Sequence, residues 1–196
     1  MTERSPELQS FLAAAETAFR THAVDDRSRR SIEAGFARLA TPGEMSEEPP
    51  GRLPVCDRLL PDLLAPGAVK DGLAPLVSAF DGLEPSLTWR GRPGGEGASE
   101  GFAEGHANCL AVGPGGRERR TDVWLGASLL APGTRYPDHD HPPEETYLVL
   151  TEGDFWQAGG DWFTPGPGGS FYNPPGIRHA MRSGEAPLLA FWLLVA

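Results

Sequence analysis

The chain has 196 residues, which suits one domain with a substantial hydrophobic core better than two full domains. Its formal net charge of -10 argues against a nucleic acid or an anionic membrane as partner, because phosphate groups would be repelled. No stretch approaches 18 apolar residues, and the first 19 residues lack a convincing signal peptide. We therefore expect a cytoplasmic protein that acts on a small molecule.

The cysteine, glycine and proline content indicates the kind of fold to expect. Cys56 and Cys109 do not indicate a disulfide framework, so we expect two reduced, buried thiols, with a single bridge as the alternative. The 25 glycines and 20 prolines lie mostly beyond residue 41, and this composition predicts short strands joined by many turns.

The first part of the chain is predicted to be helical. Apolar residues recur at helical spacing between residues 8 and 19, after Ser5 as a candidate N-cap and Pro6 as the first helical residue. Three further helical segments are predicted at residues 31–40, 54–64 and 72–80. We therefore interpret residues 1–86 as an N-terminal helical extension that packs on the rest of the protein.

From residue 87 onwards the pattern changes to short apolar runs separated by glycine and proline. The Gly-rich residues 91–101 are predicted to be a flexible loop, since no phosphate-binding motif follows. Strands are predicted at residues 109–113, 123–131, 146–152, 154–159, 162–166, 169–174, 179–183 and 187–195. Their spacing of about ten residues predicts a mainly β fold, a sandwich or barrel, over residues 87–196.

Histidines and a carboxylate are concentrated between two of these predicted strands. His139 and His141 lie two positions apart and would share one face of an extended segment, as would Glu145 and Tyr147. His179, after a Pro-Pro-Gly turn, offers a third imidazole. Such a donor set suits one divalent transition metal ion, zinc, iron or manganese, rather than calcium or magnesium. Solvated loop histidines are the alternative for each residue taken singly.

The same residues match the two sequence motifs of the cupin superfamily. The motifs carry Gly133, His139, His141, Glu145, Gly168, Pro174, Gly176 and His179. Seven residues instead of six separate Glu145 from Gly153, so we expect a bulge or a longer turn there. The resemblance implies a cupin double-stranded β-helix, or jelly-roll, barrel behind the helical segment.

A narrower resemblance is carried by the pattern YxxHxHxxxExY at residues 136–147, GxRHAMR at 176–182 and PLLAFW at 187–192. Together with LPVCDRL at residues 53–59, these stretches resemble the bacterial cupin-type dimethylsulfoniopropionate (DMSP) lyases. The resemblance implies a carbon–sulfur lyase that converts DMSP to dimethyl sulfide and acrylate by β-elimination.

The resemblance also implies roles for single residues. It places His141, Glu145, Tyr147 and His179 around the metal, with His139 as a ligand or near neighbour. Tyr147 would be the base, because a phenol beside a divalent cation is pushed towards phenolate. Tyr136 would orient the substrate or transfer a proton. Trp192 would offer an aromatic face to the sulfonium group.

Two other functions remain open from the sequence. One is a cupin enzyme of another class, an iron dioxygenase or a sugar isomerase with the same ligands. The other is a binding or regulatory cupin without turnover. Tyr136 and Tyr147 argue against the dioxygenase, which needs open coordination sites for oxygen and substrate. The sequence also leaves open whether the protein forms a homodimer.

Overall fold

A computed structural model describes residues 3–196, apart from the side chain at position 71. Residues 1 and 2 of the predicted extension therefore lie outside the described residues. The helices are α1 (Pro6–His22), α2 (Asp26–Leu39), α3 (Pro54–Leu63), α4 (Ala74–Leu83) and α5 (Phe102–Gly105). No helix in the described part of the chain is long and apolar enough to cross a membrane.

Side-chain caps explain where the first two helices begin. The Ser5 hydroxyl accepts a hydrogen bond from the Leu8 amide at 3.3 Å, as the predicted N-cap requires. Helix α2 begins five residues before its predicted start, because the Asp25 carboxylate accepts a hydrogen bond from the Ser28 amide at 2.8 Å. Residues 26–30 are polar, so a prediction based on the spacing of apolar residues misses this first turn.

The strands form a large sheet and a small one. They are β1 (Glu44–Met45), β2 (Trp89–Arg90), β3 (His106–Val112), β4 (Glu118–Arg119), β5 (Val123–Leu130), β6 (Glu144–Val149), β7 (Asp154–Gln157), β8 (Ser170–Asn173), β9 (His179–Arg182) and β10 (Leu188–Val195). The large sheet has the order β1-β4-β3-β5-β10-β6-β8, with β2 added on β3, and the small sheet pairs β7 with β9. The predicted mainly β fold with N-terminal helices is confirmed.

One predicted strand is wrong, and one expected irregularity is present. Residues 162–166 form no strand, and Phe163 alone makes an isolated bridge to Phe155, since Pro165 has no amide hydrogen to continue a ladder. The extra residue before Gly153 is accommodated after Val149, where two consecutive amides, at residues 150 and 151, approach the Leu189 oxygen at 2.9 and 3.4 Å. The register of β6 before that point is undisturbed.

The two faces of the large sheet have different partners. On the outer face, the Phe191 ring of β10 lies 4.8 Å from Phe80 of α4 and 5.6 Å from Phe11 of α1, between ring centroids. The inner face contributes to a second hydrophobic cluster, which contains Tyr136 and Tyr147 and is closed by the small sheet. The helices thus cover one side of the barrel and leave its interior to the candidate site.

Candidate metal centre and active site

Three histidines come together because the segment between β5 and β6 pairs locally with β9. His139 and His179 face each other in an isolated antiparallel bridge, in which each amide donates to the other residue's carbonyl oxygen at 3.0 and 2.9 Å. His141 follows two positions after His139. One ring nitrogen from each of the three lies within 4.8 Å of the others, so the three could hold a metal ion.

The ring orientations are set by hydrogen bonds to the backbone. In all three histidines, Nδ1 lies 2.9 to 3.0 Å from the carbonyl oxygen of a residue two positions away. A carbonyl oxygen can only accept, so in the neutral imidazole Nδ1 carries the hydrogen and Nε2 keeps its lone pair. In His141 and His179 this Nε2 is buried and has no hydrogen-bond partner among residues 3–196. A buried lone pair without a donor is what a metal ion satisfies.

Glu145 adds an oxygen to this cluster. Its buried Oε2 lies 3.4 Å from Nε2 of His141 and 3.2 Å from Nε2 of His179. A tetrahedral metal with bonds of about 2.0–2.1 Å separates its ligand atoms by about 3.3 Å, so these distances suit a shared ion. Asn173 also donates to Oε2 at 2.8 Å and holds the carboxylate in place. The donor set therefore fits a divalent transition metal.

The pKa shifts in this cluster favour a neutral His139 and an ionised Glu145, which suit the binding of a cation. Burial, aided by the neighbouring His179, lowers the pKa of His139 to about 4, so this imidazole is neutral near pH 7. Burial alone would raise the pKa of Glu145, but the adjacent imidazoles of His141 and His179 outweigh it and hold that pKa well below its usual range. Burial likewise opposes the imidazolium of His141, yet Glu145 raises its pKa.

Tyr147 lies on the same inward face of β6 as Glu145, two residues further along. Its ring stacks on Phe171 with 5.0 Å between centroids and lies 6.4 Å from the His179 ring. The side chain is buried. Burial, together with the charge of Glu145, raises the pKa of Tyr147 well above its ordinary value.

Tyr136 is buried in the cavity wall, beside the His139 ring at 4.9 Å between centroids. Its hydroxyl oxygen accepts hydrogen bonds from Asn108 Nδ2 at 2.9 Å and from Arg92 Nη1 at 3.4 Å. Burial raises the pKa of this tyrosine, although the two donors oppose the shift. The sequence did not single out Asn108, but its place between apolar neighbours in HANCLAV is a usable sign of an inward polar residue.

These side chains surround a cavity of about 250 Å³. Its lining includes His139, His141, Glu145, Tyr136, Tyr147 and Trp192. His179 belongs to the cluster but is not part of the cavity lining. Trp124 also lines the cavity, whereas Trp156, Trp162, Phe171 and Tyr172 do not. The fold thus brings together every residue that the sequence assigned to the site.

An antiparallel barrel with an internal cluster of histidines and a carboxylate is a cupin, as predicted. The family model for dimethylsulfoniopropionate lyase matches residues 27–190, and the chain belongs to that family of carbon–sulfur lyases.

Relatives support the assignment over almost the whole chain. The protein is 28% identical to dimethylsulfoniopropionate lyase DddQ of Ruegeria pomeroyi, with 98% of this chain and 91% of that protein covered. The crystal structure of DddQ from Ruegeria pomeroyi DSS-3 has a TM-score of 0.73 at 25% identity, and covers 98% of this chain and 93% of that one. A chain from the crystal structures of the DMSP lyases RdDddP and RnDddQII has a TM-score of 0.74 at 25% identity, over 97% and 92% of the two chains. The predicted family is confirmed.

Proposed function

We propose that this protein is a metal-dependent DMSP lyase, which releases dimethyl sulfide and acrylate with Tyr147 as the base. One observation carries the proposal. Glu145 and Tyr147 share the inward face of β6, beside three histidines, in the cavity of a chain that belongs to the DMSP lyase family. The histidines and the carboxylate would serve a dioxygenase or an isomerase equally well, whereas Tyr147 beside them favours the lyase.

The metal would be held by His139, His141, Glu145 and His179, with Tyr147 beside it or bound to it. When bound, a zinc, iron or manganese ion acts as a Lewis acid that stabilises the charge developing on the substrate carboxylate and favours a neighbouring phenolate. The free Nε2 atoms of His141 and His179 support this assignment.

Tyr147 would take the proton from the carbon next to the substrate carboxylate. The electron pair of that C–H bond becomes the new C=C bond of acrylate, and the carbon–sulfur bond breaks with its electron pair going to sulfur. Dimethyl sulfide leaves as a neutral molecule, so no general acid is needed. Burial and Glu145 hold the pKa of Tyr147 high, so this base works only with positive charge close by.

The opposite end of the substrate is a sulfonium cation, which suits aromatic faces. Trp192 and Trp124 both line the cavity. A cation over an aromatic ring is stabilised by about 0.5–2 kcal/mol. We therefore assign Trp192, with Trp124 as a further candidate, to the sulfonium end and the histidine cluster to the carboxylate end.

The test is headspace dimethyl sulfide released by purified protein from DMSP, with added metal and with chelator. We expect chelation to abolish release and Tyr147→Phe to lower kcat by about 100-fold or more, the usual size of a general-base contribution. Tyr172→Phe is the matched control, since Tyr172 lies outside the cavity and donates to Glu144. Full activity of Tyr147→Phe would contradict its role as base. No release with any metal would contradict the lyase itself, and oxygen consumption would then be measured.

A further inference from the structure

A continuous hydrogen-bond relay joins Trp192 to Tyr136 across the inner face of the large sheet. Trp192 Nε1 lies 2.9 Å from Ser128 Oγ, and Ser128 Oγ lies 2.7 Å from Asn108 Oδ1. Asn108 Nδ2 then lies 2.9 Å from the Tyr136 hydroxyl. All four residues line the cavity. Ser128 and Asn108 are opposite each other in the register of β3 and β5.

The direction of this relay follows from chemistry. An indole N–H can only donate, so Ser128 accepts from Trp192 and gives its own hydrogen to Asn108 Oδ1. The amide NH₂ of Asn108 must then face Tyr136. The opposite amide orientation would leave the Ser128 hydroxyl hydrogen without an acceptor in the contacts of the described residues.

This direction determines the hydrogen bonding of Tyr136. Its hydroxyl oxygen accepts hydrogen bonds from two groups that can only donate. One is the Asn108 amide NH₂ and the other is the Arg92 guanidinium. Within residues 3–196, the Tyr136 hydroxyl donates to no protein acceptor. Its hydrogen is therefore available to a ligand in the cavity. In the substrate of the proposed function, the carboxylate is the only hydrogen-bond acceptor.

We propose that Asn108 and Ser128 are positioning residues, which turn the Tyr136 hydroxyl into an obligate hydrogen-bond donor to the substrate carboxylate. The proposal rests on the proposed function for the identity of the substrate. The same relay holds the indole of Trp192. One series of hydrogen bonds therefore orients both Tyr136, at the carboxylate end of the substrate, and Trp192, at its sulfonium end. Arg92 reinforces the direction, because its Nη1 also donates to the Tyr136 hydroxyl oxygen, at 3.4 Å.

The decisive variant is Asn108→Asp, which keeps the size of the side chain and an acceptor for Ser128. A carboxylate cannot donate, so the Tyr136 hydroxyl would turn to Asp Oδ2 and no longer face the cavity. The probe is propionate, a carboxylate without a leaving group, titrated calorimetrically into the metal-loaded protein. We expect the Kd to rise about tenfold or more in Asn108→Asp and in Tyr136→Phe, the usual size for a hydrogen bond to a charged group.

A double-mutant cycle separates the relay from charge repulsion by the new carboxylate. If Asn108 acts through Tyr136, the double variant binds propionate about as weakly as Tyr136→Phe alone. Additive losses, of about 100-fold in the double variant, would overturn the proposal. So would an unchanged Kd in Asn108→Asp, or no propionate binding to the wild-type protein.

The outcome is independent of the proposed function, because propionate binding does not require turnover. A wild-type protein that releases no dimethyl sulfide would contradict the lyase assignment while the cycle still reports on the relay. In an active enzyme, Asn108→Asp is expected to raise KM for DMSP about tenfold and to change kcat less, since the Tyr147 base is untouched.

Discussion

Histidines of this protein differ in role according to what their two ring nitrogens contact. In His141 and His179, one nitrogen is hydrogen-bonded to a carbonyl oxygen, and the other is buried without a partner in the described part of the chain. In His106, Nδ1 lies 2.6 Å from the Phe102 oxygen, and Nε2 accepts a hydrogen bond from the Arg92 amide at 2.9 Å. His106 is therefore a core histidine with both ring nitrogens hydrogen-bonded.

The buried His106 predicts a specific pH dependence of stability. Burial, together with the charge of Arg92, lowers its pKa below the ordinary value of 6.5, so the folded state resists a proton that the unfolded state accepts. As the pH falls below about 6.5, the free energy of unfolding should decrease. In His106→Gln the unfolding free energy should fall less steeply with decreasing pH. The two slopes should differ by at most about 1.4 kcal/mol per pH unit, the value for one proton. Urea titrations of chelator-treated protein between pH 5 and 7.5 measure this, and parallel profiles would contradict it.

At the scale of the elements, the register of β10 decides which side chains enter the cavity. Trp192 lies opposite Gly126 of β5 on one side and opposite Tyr147 of β6 on the other. A slip of one residue would turn Trp192 outward and bring Phe191 inward. Gly126 has no side chain, and this absence makes room for the indole ring.

Gly126→Ala should therefore disturb both the sheet and the site. A Cβ at this position would lie 2.3 Å from the Cys109 carbonyl oxygen and 2.4 Å from Trp192 Cη2. Such overpacking costs about 1–3 kcal/mol of unfolding free energy, and the displaced indole should change its fluorescence. Gly184→Ala is the control, since a Cβ there meets nothing within 4 Å. Equal stabilities of the two variants in urea denaturation would refute the prediction.

In the whole molecule, the N-terminal helices and the barrel share one hydrophobic core. That core contains residues of α1, α2 and α4 together with the outward residues of β5 and β10. The division at residues 86 and 87 stays a prediction, as does a homodimer, which sedimentation would test.

Ahead of α1, Arg4 pairs with the fully buried Glu118, and Arg120 lies 3.6 Å from the same carboxylate. This ion pair connects the segment before α1 to β4, near one edge of the large sheet.

Arg4→Ala is expected to lower the free energy of unfolding by about 3 kcal/mol, because it leaves a buried carboxylate with one arginine fewer. This is the lower end of the usual range, since Arg120 remains near Glu118. Arg20→Ala is the matched control, because its ion pair with Glu16 is exposed and is worth about 0.3–0.5 kcal/mol. Urea denaturation compares the two, and equal losses would show that the buried pair does not anchor the chain.

The sequence by itself determined the features that arise between residues close along the chain. The Ser5 cap, the alternation of the strands and the spacing of His139, His141 and Glu145 are local, so their chemistry could be read directly. The predicted strand at residues 162–166 was wrong because Pro165 lacks the amide hydrogen that would extend the single bridge between Phe163 and Phe155.

Only the tertiary structure decided which groups contact the Tyr136 hydroxyl. Asn108 lies 28 positions from Tyr136 along the chain, and Ser128 lies 64 positions from Trp192. Such contacts depend on the register between strands that are distant in sequence, and no local pattern specifies that register. The candidate ligands could therefore be predicted from the chain, whereas the direction of the hydrogen bonds around them required the folded barrel.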